Sequence, residues 1–557
     1  MKVKISSLQK ARASYKPKLP VAFLNGANVE FSYGEKTESV ADQEKIKALF
    51  PNTYGFPIIA FENKLSGKTS KPVNVGVVLS GGQAPGGHNV VAGLFDGIKS
   101  LHQNSKIFGF LGGPTGLVDS KYIEITADFL QDYRNTGGFD IIGSGRTKLE
   151  RIEQFDATAR NCIALGINAI VIIGGDDSNT NACLLAEYYA GKQIPIQVIG
   201  CPKTIDGDLK NEQIETSFGF DTACRVYSEL IGNLQRDALS AKKYWHFIKL
   251  MGRSASHITL ECALQTHPNI TLIGEEVAAK EMSLMDIVNN IASIISRRAK
   301  NGKNYGVILI PEGLIEFIPE MNVLITELNE IMAEKHEAFE AFESHGEKLD
   351  FLAGKLSPES AKAYLALPSG IRLQLIMDRD PHGNVQVSKI DTEKLMMEMI
   401  DNRLKAWKAE GKYKGKFSPL HHFFGYEGRC AAPSNFDANY CYSLGYTAAA
   451  LAGAGKTGYM SSVRNLTKPT TEWTAGGVPI IMMMNIERRH GEDKPVIRKA
   501  LVKLDGNSYK ELLKNRESWA REDHYVYPGP IQYFGPSEVC DAVTHTLALE
   551  QNKDVTR

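Results

Sequence analysis

Short apolar runs typical of buried strands alternate with amphipathic helix patterns along most of the chain. The β-branched run Val75–Leu79 predicts a strand, and apolar residues then recur at helical spacing from Val91 to Leu101. Later segments repeat this alternation: strands over 169–173, 196–200, 246–250 and 305–310, with a helix over 181–189. Strands that alternate with helices predict βαβ units, and therefore parallel sheets covered by helices on both faces.

Two regions depart from this alternation. Residues 1–71 have few long apolar runs and end in the polar stretch Lys64–Lys71, so we expect an N-terminal extension wrapped on the body. Residues 320–420 are rich in Glu, Lys, Met and Leu, most clearly in Glu327–Lys355 and Thr392–Gly415. This composition favours helices, so we expect a mainly helical insertion in a second α/β lobe.

Composition narrows the class of protein. The chain has 557 residues, of which 43% are hydrophobic and 23% charged, which is typical of a folded globular protein of several domains. Lys plus Arg and Asp plus Glu are both 64, so the net charge gives no sign of binding to nucleic acid or to a membrane surface. No apolar run approaches the roughly 20 residues that span a bilayer.

The N-terminal segment and the cysteines lead us to expect a cytoplasmic, soluble enzyme. The segment Met1–Lys18 is basic without an apolar core and does not resemble a secretory signal. Eight cysteines are scattered without a C-x-x-C pair, which indicates free thiols in a reducing compartment. The histidines and cysteines form no zinc-binding pattern.

The first candidate site follows the strand Val75–Leu79. The segment from Gly81 to Gly87 reads Gly-Gly-Gln-Ala-Pro-Gly-Gly and precedes a helix. Glycines let the backbone approach an anion, and a helix N-terminus favours negative charge, so this segment suits a phosphate. The alternative is a tight strand-to-helix turn that binds nothing.

The second candidate site is Gly174-Gly175-Asp176-Asp177-Ser178, again directly after a strand. Adjacent carboxylates are costly unless a cation compensates them, and Mg²⁺ shared with substrate phosphates would do so. The alternative is that Asp177 or Ser178 simply caps the following helix.

The third candidate site is the segment Lys203-Thr204-Ile205-Asp206-Gly207-Asp208. A lysine that neutralises phosphate charge, beside an aspartate that accepts a hydroxyl proton, would suit phosphoryl transfer. Asp-Gly-Asp is equally an ordinary turn sequence.

Two Gly-Lys-Thr triplets, at 67–69 and 455–457, imitate the end of a P-loop. They have Glu62 and Ala450 where the leading glycine belongs, and neither clearly follows a strand pattern. A Walker-type NTPase is therefore disfavoured.

Taken together and in this order, the three sites resemble the phosphofructokinase family. The resemblance continues through Met251-Gly252-Arg253, Ile310-Pro311-Glu312-Gly313 and Gly425-Tyr426-Glu427-Gly428-Arg429, and it spans about residues 73–480. It is greatest to the long, diphosphate-dependent branch of the family.

The resemblance implies an α/β fold of two Rossmann-like three-layer lobes with mostly parallel sheets. Its implied divisions are an extension at 1–71, a diphosphate- and magnesium-binding lobe at 72–240 and about 428–480, and a fructose 6-phosphate lobe at 241–427 and about 481–557. The helical insertion at 320–420 would belong to the second lobe. We expect no strong allosteric control, as in most diphosphate users of the family.

The resemblance also implies roles for the residues of the first three motifs. Gly81 and Gly82 would hold the diphosphate with Arg146, and Lys203 would stabilise the transition state. Asp206 would take the proton from the C1 hydroxyl of fructose 6-phosphate. Asp176 would organise Mg²⁺, with Asp208 supporting the metal or the base.

On the sugar side, the resemblance implies contacts from two groups of residues. One group comprises Thr204, Ile205, Met251, Gly252, Arg253, Glu312, Tyr426, Glu427, Gly428 and Arg429. The other, Lys243 and Tyr244, falls where family members reach into a neighbouring subunit, which implies a homodimer with a shared sugar site. Arginines suit the sugar phosphate and acids suit its hydroxyls, although Met251 and Tyr426 have packing as the alternative.

The choice of phosphoryl donor depends on two positions. Relatives that use ATP carry Gly at the positions of Asp177 and Lys203. A carboxylate at Asp177 would face the α-phosphate of ATP, and two charges at about 4 Å repel by several kcal/mol at a dielectric near 20. The alternatives are an ATP-dependent 6-phosphofructokinase, which these two residues disfavour, and a non-catalytic regulatory subunit, which the presence of Asp206, Asp176, Lys203 and Arg429 disfavours.

Overall fold

The computed structural model describes residues 12–64, 71–342, 344–377, 385–489, 492–530 and 541–554. The triplet at 67–69 and Cys540 lie outside these ranges. Within them, the strands form two large sheets and a separate two-stranded hairpin. Helices cover each of the two large sheets.

The first sheet has nine strands in the order β1-β2-β13-β12-β7-β6-β3-β4-β5. Its centre, β4-β3-β6-β7-β12, is parallel, whereas the pairs outside it are antiparallel. The strands are β1 (Glu30–Lys36), β2 (Pro57–Glu62), β3 (Val75–Leu79), β4 (Ile107–Phe110), β5 (Tyr122–Glu124), β6 (Ala169–Gly174), β7 (Gln197–Pro202), β12 (Tyr459–Arg464) and β13 (Thr474–Pro479).

The second sheet is parallel throughout, in the order β11-β8-β10-β9. Its strands are β8 (Trp245–Leu250), β9 (Ile270–Thr271), β10 (Gly306–Pro311) and β11 (Pro419–Phe424). The separate hairpin consists of β14 (Met484–Arg489) and β15 (Glu492–Ile497).

All the helices below except the last two fall between strands, as the alternating pattern predicts. They are α1 (Gln43–Leu49), α2 (Gly87–Leu101), α3 (Pro114–Val118), α4 (Ala127–Gln131), α5 (Ile152–Ala164), α6 (Asp176–Gly191), α7 (Phe220–Ala241), α8 (His257–Thr266), α9 (Gly274–Ala279), α10 (Leu284–Lys300), α11 (Leu314–Phe317), α12 (Pro319–Glu340), α13 (His345–Ala353), α14 (Pro358–Ala366), α15 (Ser369–Met377), α16 (Thr392–Ala409), α17 (Tyr426–Arg429), α18 (Asn435–Gly453), α19 (Asn507–Arg521) and α20 (His545–Glu550).

The central strands β3, β6 and β10 carry no polar side chain, because both faces of each sheet are covered. In β3, Val77 and Leu79 join the core beneath α2 and α18, whereas Val78 joins the core beneath α5 and α6. In β10, Leu309 and Ile310 likewise enter different cores. Side chains alternate across a strand, so a strand buried on both faces reads as a continuous apolar run.

The insertion packs on the second sheet. Helices α12 to α16 share one apolar core with β8 and β10, through residues such as Tyr364, Leu375 and Ile400. A buried ion pair of 3.2 Å between Lys249 of β8 and Glu393 of α16 ties the insertion to this sheet. The predicted mainly helical insertion is confirmed.

The strand predictions at 75–79, 169–173, 196–200, 246–250 and 305–310 are confirmed to within a residue or two at the ends. The helix predicted at 181–189 begins five residues earlier, at Asp176. The extension contributes β1 and β2 to the edge of the first sheet, so it is an integral part of that sheet. The division into lobes at the stated boundaries stays a prediction. No helix of the described residues is long and apolar enough to cross a membrane.

Candidate active site

Six loops that follow parallel strands carry the six sequence motifs. We call the loops after β3, β6 and β7 the first-sheet loops, at 80–87, 174–178 and 203–208. The loops after β8, β10 and β11 are the second-sheet loops, at 251–256, 311–313 and 425–429. Parallel α/β sheets bind ligands outside the carboxyl ends of their strands, and here two such edges meet.

The turn at Gly81 and Gly82 is surrounded by cations. A β-carbon placed on Gly81 would lie 3.5 Å from Nζ of Lys203, and one on Gly82 would lie 3.6 Å from Nη1 of Arg429 and 3.7 Å from Nη2 of Arg146. Gly81 has a φ of +83° and its N–H donates to Gly145 O at 2.8 Å. Three cations from separate segments therefore face an open stretch of backbone, as an anion site requires.

Helix α6 begins beside this turn. Gly175 is its N-cap residue, and Asp176 and Asp177 lie in its first turn. The hydroxyl of Ser178 donates to Oγ of Ser80 at 2.7 Å, which fixes the helix to the first loop. The alternative that Asp177 or Ser178 caps this helix is therefore wrong, because the chain turns into the helix one residue before the carboxylates.

Lys203 is the buried cation of the site. The residue is 6% exposed, and burial lowers the pKa of its ammonium group to about 8, although Asp206 and Asp176 oppose the shift. Its backbone N–H donates to Gly174 O at 2.9 Å, so the second and third loops are directly joined. A lysine that is desolvated beside two carboxylates is held ready for an anionic ligand.

The two carboxyl groups of the loop at 203–208 have raised pKa values. Burial raises the pKa of Asp206, against the effect of the Arg253, Lys499 and Lys203 charges. Burial, with the neighbouring Asp206 and Asp176, raises the pKa of Asp208 to about 7. Carboxyl groups with raised pKa values in a cleft are typical of proton-transfer sites.

The backbone of the third loop is held from several sides. The N–H of Asp206 donates to Oγ1 of Thr204 at 3.1 Å, and the N–H of Ala500 donates to Asp208 O at 2.7 Å. Gly207 adopts a φ of +74° between the two aspartates. Ile205 packs in the core, so it can offer a ligand only its backbone. The sequence is thus a turn, as its composition indicates, and at the same time presents two carboxylates.

The second-sheet loops at 251–256 and 311–313 are joined by Glu312. The N–H of Gly252 donates to Oε2 of Glu312 at 2.8 Å. Burial raises the pKa of Glu312 to about 7, with a smaller contribution from Asp206. Arg253 is exposed and Met251 is half-buried, so both are accessible at the end of β8.

The third second-sheet loop forms the short helix α17. Tyr426 is 63% exposed, and the guanidinium of Arg429 lies 4.9 Å from its ring centroid. Glu427 accepts a hydrogen bond from Gly425 N–H at 2.8 Å. Gly428 faces the ring of Tyr227, where a side chain would overlap it. Arg429 thus reaches the turn at Gly82, while Tyr426 faces solvent rather than the core.

Lys243 and Tyr244 do not join these residues. They precede β8, whose six residues span about 20 Å, whereas Met251 and Arg253 follow it. Nζ of Lys243 lies 4.9 Å from the ring centroid of Tyr244. In a single chain these two side chains are therefore at the far edge of the second sheet.

Lys499 is a cation that the sequence motifs did not indicate. Its Nζ lies 2.6 Å from Oγ of Ser254 and 3.7 Å from Oδ2 of Asp176, between the two sets of loops. It follows the hairpin strand β15 in an irregular segment, with no glycine or strand-end pattern to mark it. Lys148, whose Nζ lies 3.8 Å from Oδ1 of Asp177, is a second cation that the motifs did not indicate.

Comparison with known proteins agrees with this geometry. The phosphofructokinase family model matches residues 74–353, which is half of the chain and includes five of the six loops. The chain belongs to the phosphofructokinase family. The membership that the sequence motifs predict is confirmed.

Full-length relatives within the family are similar throughout. The chain is 60% identical over 547 residues to a pyrophosphate–fructose 6-phosphate 1-phosphotransferase of Porphyromonas gingivalis, covering 98% of this chain and 99% of that protein. It is 55% identical to a protein of the same name from Treponema pallidum, covering 98% and 97%. The extension and the insertion therefore lie within the aligned length of these relatives.

A solved phosphofructokinase has the same fold. The pyrophosphate-dependent phosphofructokinase of Marinobacter aquaeolei aligns with a TM-score of 0.52 over 81% of this chain and 93% of that chain, at 16% identity. The predicted α/β fold with two Rossmann-like lobes is confirmed.

The carboxylates of this phosphofructokinase site suit a Mg²⁺ ion that is held partly by the substrate. Within the described ranges, no three His, Cys, Asp or Glu side chains are grouped so as to hold an ion by themselves. Asp176 and Asp208 nevertheless lie close enough to raise the pKa of Asp208. Mg²⁺ is commonly held by one or two carboxylates together with substrate phosphates, and this set fits that pattern.

The triplet at 455–457 has a structural role. It forms the turn between α18 and β12, where Gly455 has a φ of +66°. Oγ1 of Thr457 accepts a hydrogen bond from Val198 N–H at 3.0 Å. The prediction that it is not a P-loop agrees with this position.

Proposed function

We propose that this chain catalyses the reversible, Mg²⁺-dependent transfer of a phosphoryl group from diphosphate to the C1 hydroxyl of D-fructose 6-phosphate. The products are fructose 1,6-bisphosphate and phosphate. The observation that carries the proposal is the buried Lys203 between the open turn at Gly81 and the carboxylate of Asp206. This arrangement combines a phosphate-binding cation with a proton acceptor, and the full-length relatives bear the name of this reaction.

Asp206 is the proton acceptor in this proposal. Its carboxylate takes the proton of the C1 hydroxyl, and the oxygen attacks the terminal phosphorus of diphosphate. A new bond forms between the C1 oxygen and that phosphorus, the bond from this phosphorus to the bridging oxygen breaks, and phosphate leaves with that electron pair. The raised pKa of Asp206 suits a group that must both accept a proton and return it in the reverse reaction.

The donor lies on the first-sheet loops. Gly81 and Gly82 let the diphosphate approach the backbone, and Arg146 and Arg429 are placed to pair with its oxygens. Lys203 stabilises the charge that develops on the leaving phosphate. A preorganised cation in a site shielded from water is among the largest contributions to phosphoryl transfer.

Asp176, with Asp208, would hold the Mg²⁺ ion. When bound, the ion neutralises charge on the diphosphate oxygens. The protein's own part is to keep these carboxylates beside Lys203 and Lys499, whose charges stabilise them in the ion's absence.

The sugar lies on the second-sheet loops. Arg253 and Arg429 supply guanidinium groups for its phosphate, and Glu312 supplies an acceptor for its hydroxyls. The remaining contacts are assigned to Thr204, Ile205, Met251, Gly252, Tyr426, Glu427 and Gly428. For Ile205 the contact is through the backbone, since its side chain belongs to the core.

Asp177 excludes ATP in this proposal. Its carboxylate lies in the first turn of α6, one residue after Asp176, and would repel the α-phosphate of a nucleotide. Nζ of Lys148 lies 3.8 Å from Oδ1 of Asp177. An ATP-dependent 6-phosphofructokinase is the second candidate, because the fold and the loop residues other than Asp177 and Lys203 would serve it equally.

The working unit in this proposal is a cytoplasmic homodimer. Lys243 and Tyr244 are too far from Arg253 to serve the sugar site of their own chain, so a second copy would supply them. The described cysteines are free thiols, six of them buried, which supports a reducing compartment.

One assay tests the function. Purified protein is given Mg²⁺, fructose 6-phosphate and either diphosphate or ATP, and fructose 1,6-bisphosphate is measured. We expect product with diphosphate and little with ATP. Preference for ATP would select the second candidate, and failure with both donors would favour a non-catalytic subunit.

A further inference from the structure

Segment 498–502, which we call the strap, crosses the site between the two sets of loops. The N–H of Arg498 donates to Met483 O at 2.8 Å, and the N–H of Ala500 donates to Asp208 O at 2.7 Å. The residues on both sides of Lys499 are thus anchored by backbone hydrogen bonds. These bonds fix the backbone position of Lys499, although the segment is neither helix nor strand.

The strap is also joined to the second-sheet loop that contains Ser254. Oε1 of Glu275 accepts hydrogen bonds from Val502 N–H at 3.0 Å and from Ser256 N–H at 3.1 Å. Nε2 of His257 lies 2.8 Å from Ala500 O. The strap therefore holds Asp208 on one side and the loop at 254–257 on the other.

The ammonium group of Lys499 lies where the two sets of loops meet. It hydrogen-bonds to Ser254, next to Arg253, and lies 3.7 Å from Asp176, which is beyond an ordinary hydrogen bond. A lysine has three N–H donors. Among the described residues, one of these three is engaged at hydrogen-bond distance, and the side chain is 35% exposed on the site.

We infer that Lys499 is a further cation of the phosphoryl-transfer site, which contacts the transferred phosphoryl group between the donor and the sugar. This inference rests on the proposed function and adds to it a residue outside the family motifs. The other cations are arranged differently: Lys203, Arg146 and Arg429 face the turn at Gly81 and Gly82. Lys499 instead lies beside Asp176 and Ser254, on the path from one set of loops to the other.

The chemistry explains why a cation is needed there. During transfer, negative charge spreads over the oxygens of the phosphoryl group while it is bonded fully to neither partner. Asp176, Asp206 and Asp208 would oppose that charge. A fixed ammonium with unused donors offsets it, and it acts more strongly in the transition state than on either bound substrate.

The test compares three variants with the wild type. Lys499→Met removes the charge and keeps much of the length, Lys499→Arg keeps the charge, and Lys503→Met changes an exposed lysine near the strap as the matched control. We measure kcat and KM for both substrates with diphosphate as donor. We also measure the affinity for magnesium diphosphate by calorimetry without sugar, and the melting temperature.

We expect Lys499→Met to lower kcat on the order of 10²-fold, while its KM for fructose 6-phosphate changes by less than about threefold. Its affinity for magnesium diphosphate should fall by roughly three- to tenfold, because the same cation also faces the bound donor. Lys499→Arg should recover at least about tenfold of the lost kcat, and Lys503→Met should match the wild type.

Two results would overturn the inference. One is a Lys499→Met variant with kcat near that of the wild type. The other is equal loss in Lys499→Met and Lys499→Arg together with a lower melting temperature, which would mean a structural role. If the wild type does not turn over diphosphate, the proposed function fails separately. The calorimetric comparison then decides on Lys499, and equal affinities would overturn its role.

Discussion

The two sets of loops differ in how complete they are within one chain. Around the first-sheet loops, Lys203 is buried, the turn at Gly81 is fixed by backbone hydrogen bonds, and Arg429 reaches across to it. Around the second-sheet loops, Arg253 and Tyr426 are exposed. Lys243, which the family resemblance assigns to the same sugar, lies about 20 Å away along β8.

This difference indicates which half of the site is already ordered before a ligand binds. A desolvated lysine beside carboxylates needs little reorganisation when an anion arrives, so the donor half of the site can act within one subunit. Exposed arginine and tyrosine side chains must be ordered on binding, which costs conformational entropy. A second subunit that supplied Lys243 and Tyr244 would enclose the sugar and reduce this cost.

The largest effect should come from Asp206, where the two halves meet. Asp206→Ser should lower kcat on the order of 10²–10⁴-fold, the usual contribution of a positioned proton acceptor, with little change in KM for the sugar. Burial raises the pKa of Asp206 in the folded state, so its ionised form destabilises the fold at neutral pH and the variant should melt no lower than the wild type.

Steady-state kinetics and thermal melting, with the exposed Asp505→Ser as control, check both statements. Near-normal turnover in Asp206→Ser would remove Asp206 from the role of base. A large fall in melting temperature would show instead that the loop had collapsed.

The second effect tests whether the donor half depends on a buried charge. Lys203→Gly should lower diphosphate-dependent kcat/KM by about 10²–10³-fold, as the loss of a preorganised charge-stabilising group commonly does. In the wild type, burial lowers the pKa of Lys203 to about 8, so its charge is present below pH 8 and is lost as the pH rises above it. The kcat/KM for diphosphate should therefore fall above about pH 8.

The corresponding limb in kcat should lie at higher pH, because bound diphosphate favours the charged lysine. Lys203→Arg cannot lose its proton in this range, so whatever activity it retains should be without the alkaline limb. An unchanged limb in Lys203→Arg would assign the titration to another group.

Most of the fold was predictable because its strands are buried on both faces. Val75–Leu79 and Ala169–Gly174 are apolar at nearly every position and are followed by glycines, so both the strands and the loops after them could be found. The start of α6 was missed because Asp176 to Asn179 are polar; they face the site and its loops, not an apolar core.

The residues that escaped prediction are those whose position depends on distant parts of the chain. Lys499 and Lys148 lie in irregular segments and reach Asp176 and Asp177 only through the tertiary fold. The same is true of the ion pair between Lys249 and Glu393, which are 144 positions apart. A charged residue without a local pattern gives no signal of this kind in one sequence.

A third prediction concerns donor choice, which the first-sheet loops should decide alone. Asp177→Gly removes a carboxylate from the expected place of the α-phosphate of ATP, and each 1.4 kcal/mol of relieved repulsion is about tenfold in affinity. The ratio of kcat/KM for ATP to that for diphosphate should rise at least about tenfold. Asp177→Asn, which keeps the volume, separates charge from bulk.

The melting temperature should fall slightly, because Asp177 in the first turn of α6 interacts favourably with the helix dipole. The effects of Asp177→Gly and Lys203→Gly should not add, since both side chains belong to one charged site. An unchanged donor ratio in Asp177→Gly would show that another feature of the site excludes ATP.

The last prediction tests whether the sugar half is completed by a second chain. Lys243→Ala and Asp206→Ser should each be impaired alone, yet a mixed dimer would contain one site with both residues intact. When equal amounts exchange subunits at random, half of the dimers are mixed and each has one good site, so activity should return to about a quarter of the wild type.

Native mass spectrometry verifies the exchange. In the control experiment, Lys242→Ala, which changes an exposed neighbour, takes the place of Lys243→Ala. The mixture of Lys242→Ala and Asp206→Ser should be only as active as the Lys242→Ala protein in it is on its own. If exchange is complete and activity does not recover, the sugar site belongs to one chain, and the difference between the two halves must lie in ordering of the loops on binding.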